Sequence, residues 1–144
     1  MSTDPPDIRH SDCPRGIRLS MQTAAELIRD SYVLYKARSY PRAFSLLVLG
    51  HEEIGKAILL AKAYKNRSTI KYSGPEWKEL FNHQAKQTAW AKYRSIFYPG
   101  APPPSKGQLG IIVKMHKPLK EGGFYTAWVR KRPVSYTHLT LPTN

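Results

Sequence analysis

The sequence predicts an all-α fold, and three observations carry that prediction. Apolar residues recur at i, i+3, i+4 and i+7 from Ser20 onward; Pro41 and Pro75 stand where first helical turns begin; and Tyr98-Pro99-Gly100-Ala101-Pro102-Pro103-Pro104 stops the regular part of the chain. A chain of 144 residues, 41% hydrophobic and 23% charged, holds one domain with one core rather than a disordered segment. Three main helices followed by a truncated or irregular C-terminal part are expected.

Residues 1–18 contain three prolines and three aspartates and show little periodicity, so they are expected as a flexible leader. The bundle is expected over residues 19–98. Helix one begins near Ser20, with Ala24, Leu27, Ile28, Ser31, Leu34 and Tyr35 on one stripe and Thr23 with Glu26 as a possible capping box, and ends near Ala37. Helix two runs from Pro41 to about Tyr64. After a connector from Asn66 to Gly74, helix three runs from Glu76 to about Tyr98 and is rich in Trp and Tyr.

Residues 99–133 read as a proline-rich linker and a partial C-terminal element, with a short helix from Gln108 to about Met115, a turn at Gly122-Gly123 and an extended stretch from Phe124 to Val129. The last segment, 134–144, is anomalous. Val134-Ser135-Tyr136-Thr137-His138-Leu139-Thr140-Leu141-Pro142-Thr143 matches the translation of a transposase-type sequencing adapter, so it is expected to be an assembly artefact that replaces the natural C-terminus.

The net charge of +13, from 23 basic and 10 acidic residues, creates a positive field that favours polyanions such as RNA. The basic residues are spread along the chain, with no RRM, KH or zinc-finger signature, which disfavours sequence-specific reading. A single cysteine, Cys13, excludes a disulfide framework and fits a reducing compartment, and the five histidines lack zinc-ligand spacing. No metal or cofactor is expected. No apolar run approaches the ~20 residues of a membrane span and no signal-peptide pattern is present, so the expected location is cytoplasmic, away from membranes.

The chemistry concentrates in Leu46-Leu47-Val48-Leu49-Gly50-His51-Glu52-Glu53-Ile54-Gly55-Lys56-Ala57. At 100° per residue, Leu46, Leu49, Gly50, Ala57, Leu60 and Tyr64 lie within about 60° of Glu53. A carboxylate central to an apolar stripe must be paired, because burying it alone costs several kcal/mol, roughly. Lys56 is available one turn on, and Gly55 marks a close approach by another backbone. Helix three offers Leu80, His83, Gln87, Trp90, Arg94 and Phe97 on one stripe, with Lys86 a turn from His83. If the two helices pack, Glu53, Lys56, His83 and Lys86 converge into one polar cluster, the candidate catalytic set, with Glu52, Lys78 and Arg94 as binding candidates beside it.

The runs Arg38-Ser39-Tyr40-Pro41-Arg42-Ala43, Glu52-Glu53-Ile54-Gly55-Lys56-Ala57 and Trp77-Lys78-Glu79-Leu80-Phe81-Asn82-His83-Gln84-Ala85-Lys86 make the chain resemble the AbiV family of abortive-infection proteins between about Ala24 and Tyr98. The ordered pair E-E-x-G-K and H-x-x-K carries the resemblance. It implies a HEPN-like helical bundle, interference with phage multiplication, and a homodimer. HEPN ribonucleases carry R-x(4-6)-H; no arginine stands at that spacing before His83, and the nearest analogue is Lys78, which holds a phosphate as a point charge rather than bidentately.

Three readings follow. In the first, the protein binds a phage or host protein, or RNA, and halts infection by suppressing translation. In the second it is a HEPN-type ribonuclease, with His83 as general acid or base, Lys56 and Lys86 stabilising phosphate charge and Glu53 orienting them. In the third it is a non-catalytic helical dimerisation module whose polar cluster only fixes helix register. Trp77, Trp90, Tyr93 and Phe97 read as core or dimer contacts, His51 as exposed, His116 as solvated, and Cys13 as unreactive.

Overall fold

Pro14, Pro41 and Pro75 each fall in the first turn of a helix, where the missing N–H has no intrahelical bond to lose. The computed structural model describes residues 5–100, 102–124, 127–129 and 132–134. These prolines open α1 (Cys13–Lys36), α2 (Tyr40–Lys65) and α3 (Pro75–Phe81); α4 (His83–Phe97) and α5 (Lys106–Phe124) follow. A 3-10 turn, His10–Asp12, precedes α1. Two three-residue strands, β1 (Ala127–Val129) and β2 (Arg132–Val134), form an antiparallel pair with Trp128 opposite Pro133. The class is all-α, as expected, with five α-helices among the described residues rather than three.

The differences have local causes. Helix one starts at Cys13, inside the segment expected to be a flexible leader, because Pro14 opens the helix instead of breaking it. Further contacts order the chain before it: Ile8 and Ile70 exchange backbone bonds of 3.0 and 2.9 Å, and the Asp7 carboxylate accepts from Lys71 Nζ at 2.9 Å and Tyr72 N at 2.8 Å. The expected single helix three is two, α3 and α4. Asn82 is extended (φ −87, ψ 117) and its side chain accepts from Ala85 N at 3.0 Å, so it caps α4 instead of continuing α3. Helix α5 extends beyond the expected 108–115, and its start is fixed reciprocally: Ser105 N donates to Gln108 Oε1 at 3.0 Å and Gln108 N to Ser105 Oγ at 3.3 Å. Of the adapter-like segment, 135–144 lies outside the described residues.

Helix α2 is the axis of the molecule, packed against α1, α4 and α5. Its contact with α1 is close because the buried α1 positions are small: Cys13, Ser20, Ala24 and Ser31. A Cβ at Gly50 would stand 2.8 Å from Ile28 Cγ1, and Ser31 Oγ donates to the Ala43 carbonyl at 2.7 Å, stitching the pair. The turn between them has Arg38 at φ 60, with Arg38 N donating to Tyr35 O and Ser39 N to Leu34 O. This is a Schellman closure with arginine where glycine is usual, and Arg67 (φ 53) repeats it at the end of α2. Two apolar clusters fill the interior. Cys13, Leu60, Ala63, Ile70 and Leu80 form one; Ala24, Ile54, Trp90 and Ala91 form the other, on which Leu109 and Ile112 of α5 pack. No helix among the described residues is long and apolar enough to cross a membrane.

Candidate functional site

The site is built where α2 and α4 touch backbone to backbone. A Cβ at Gly55 would fall inside the Lys86 carbonyl group, so only glycine lets α4 lie this close, as its place in the sequence predicted. The contact brings the N-terminal turn of α4 over α2 and sets His83, Lys86 and Gln87 around one carboxylate.

That carboxylate belongs to Glu52, 1% exposed, and not to Glu53. Glu52 Oε2 lies 2.5 Å from His83 Nδ1 and 4.0 Å from Lys86 Nζ, while Oε1 accepts from Gln87 Nε2 at 2.7 Å. An ionised carboxylate only accepts, so Nδ1 carries the proton and donates. The imidazole is thereby held in one orientation, with Nε2 directed away from the carboxylate; the His83 side chain is 62% exposed although its anchor is buried. A buried carboxylate thus fixes a surface histidine, the arrangement that orients imidazoles for acid, base or phosphate-contacting work.

The structure brings together Glu52, His83 and Lys86 of the expected residues and separates the rest. Glu53 and Lys56 form an i, i+3 ion pair of their own at 3.2 Å, partly exposed. The apolar stripe centred on Glu53 misidentified the buried acid because α2 is covered on several sides, and where it meets α4 the close approach is made at Gly55, a residue that apolarity alone underweights. Lys86 is buried and turned to Glu52, so it balances the internal charge instead of facing solvent. Lys78 is exposed on α3. Arg94 Nη2 donates to the Pro102 carbonyl at 3.2 Å, tying α4 to the segment before α5. Gln87 was not among the expected site residues, although its position four after His83 on the same stripe was the available signal.

His51, expected on the surface, is buried and stacked on Trp90 at 3.8 Å between centroids, with Nε2 3.3 Å from the Tyr98 hydroxyl. His116, expected in solvent, packs against Phe44, His51 and Trp90. Both expectations failed because α5 closes over this face of α2 and α4. Burial, with His116 nearby, holds His51 down to about 4 from the usual 6.5, so the imidazole is neutral at pH 7. Cys13 is buried, not in a loose leader, and burial raises its thiol pKa. Among the described residues no group of three His, Cys, Asp or Glu side chains is placed to hold a metal ion.

No curated protein and no solved structure matches the chain. The model of the HEPN-type AbiV family matches residues 12–142, a span that takes in all five helices and with them the Glu52, Gly55 and His83 positions on which the site rests. The chain therefore belongs to the AbiV family, and its place is in abortive infection, a defence against phage.

Proposed function

We propose that the protein halts phage multiplication by binding RNA through the backbone phosphate at His83 and so suppressing translation, without cutting the strand. The observation that carries this reading is the solvent-facing His83 imidazole fixed by buried Glu52. Nε2 donates to a phosphate oxygen when the ring is doubly protonated and accepts from a ribose hydroxyl when it is neutral, with exposed Lys78 on the preceding helix and a chain of +13 behind it. Glu52 acts from within to orient the ring, and Lys86 balances the Glu52 carboxylate.

Cleavage is the second reading, favoured by the same orientation. A fixed imidazole whose outer nitrogen reaches a 2′-hydroxyl would take its proton as that oxygen attacks the adjacent phosphorus, with the 5′ oxygen leaving. Against it stands the arginine missing before His83. Lys78 supplies charge without the bidentate grip that stabilises the crowded phosphorane.

The test is expression of wild type, His83→Ala and Lys78→Ala at matched levels of folded protein, followed by RNA integrity, protein synthesis and RNA retained on the purified chain. The expected outcome is intact RNA, synthesis blocked by wild type, and both the block and the retained RNA reduced at least about tenfold in His83→Ala. Cut RNA that depends on His83 would establish the ribonuclease; a block unchanged in His83→Ala would remove this site from the function.

A further inference from the structure

Helix α4 has two working faces. His83, Gln87 and Trp90 turn inward or toward the site above, whereas Ala85, Lys92 and Ile96 lie within about 40° of the point opposite His83 at 100° per residue. On that far side, beside α2, an open groove of about 740 Å³ runs between the two helices among the described residues. We infer that this groove is the docking site for an amphipathic helix with an apolar spine and acidic flanks, supplied by a partner protein.

The shape argues for a helix. Ala61 of α2 and Ala85 and Ala89 of α4 make a shallow floor with nothing larger than a methyl group, which lets another helix approach closely. Ile58 on one side and Tyr93 and Ile96 on the other supply apolar walls; Tyr93 is 41% and Ile96 69% exposed, and no described element covers them. Their spacing, Ala85, Ala89, Tyr93 and Ile96, is that of a second apolar stripe, buried by the chain's own packing at Ala89 and left exposed at Tyr93 and Ile96.

The rim argues for the sign of the partner. Lys62, Lys65 and Lys92 border the groove against one acid, Glu79. A second copy seated here by a twofold axis would set lysines against lysines in molecules already at +13, which electrostatic complementarity disfavours. An acidic-flanked helix meets both requirements, laying leucine-like anchors at i, i+3, i+4 and i+7 on the alanine floor and carboxylates along the lysine rim. The inference is independent of His83 and stands whether or not RNA is the target.

The test uses the full chain and a fluorescent synthetic helical peptide with leucines at i, i+3, i+4 and i+7 and glutamates on both flanks, beside a control with lysines in place of the glutamates. The acidic peptide is expected to bind saturably and the lysine peptide not. The exposed double change Lys62→Glu with Lys92→Glu should weaken the acidic peptide at least about tenfold and admit the lysine peptide. Ala61→Phe, at an exposed floor position, should block the acidic peptide while the circular-dichroism melt stays unchanged. Equal binding of the two peptides, or indifference to the charge reversal, would overturn the inference. So would a concentration-dependent dimer abolished by Ile96→Glu, which assigns the groove to a second copy, or displacement of the bound peptide by a single-stranded RNA oligonucleotide, which assigns it to nucleic acid.

Discussion

Glu52 and His51 are adjacent in sequence and solve the same difficulty in opposite ways. Glu52 keeps a buried polar group by surrounding it with donors, whereas His51 is buried against Trp90 without its charge. The cost of charging His51 in place makes it a stability probe. With its pKa at about 4 in the folded chain and 6.5 as its ordinary value, the unfolded chain holds more protons between those limits. Its contribution is therefore complete above pH 6.5 and lost as the pH falls toward 4, roughly 3 kcal/mol over the window. Urea unfolding of wild type and His51→Phe, which keeps a ring on Trp90, should show the wild-type advantage shrinking by about that amount between pH 7 and pH 4. Parallel profiles would mean that His51 is not held neutral by its surroundings.

Among the elements, the α2–α4 contact has the narrowest tolerance. Gly55→Ala places a methyl group against the Lys86 carbonyl, which is backbone and cannot swing aside, so α4 must lift from α2. Overpacking of this kind costs roughly 1–3 kcal/mol, and chemical denaturation should find the variant less stable by that much. If Gly55→Ala leaves both the midpoint and the His83 environment unchanged, the helices do not meet as closely as described. Much of this element was legible in the sequence: a glycine inside a strongly patterned helix announced a close neighbour, and His83 with Lys86 announced where the polar face would be. What was not legible followed from reading each helix as having one buried side. The pattern points to Glu53 rather than Glu52 and to His51 and His116 outside, because no single-helix pattern records that α4 and α5 both cover α2. The break at Asn82 shows in the sequence only as a capping residue within an otherwise continuous run, and Pro14 opens a helix where proline content suggests a flexible leader.

For the whole molecule, charge is the property that the fold does not consume. Among the described residues Arg9, Arg29, Lys56, Lys71 and Lys86 stand in ion pairs, with Lys86 buried, and the +13 balance follows from the composition, not from one patch. Binding of single-stranded RNA should therefore weaken as salt rises, with a log–log slope of about −0.7 for each phosphate neutralised. A titration with no salt dependence would show that the charge serves something other than a polyanion. The clasp between Asp7 and Lys71, 64 residues apart, and its neighbour Ile8–Ile70, bear on the order of events during synthesis. Asp7 and Ile8 have no place to settle until the connector beyond α2 has also emerged. The segment before α1 therefore waits for its partner while the α1–α2 hairpin forms behind it, and its clasp can close only after that hairpin, though before α4 and α5 are available to pack.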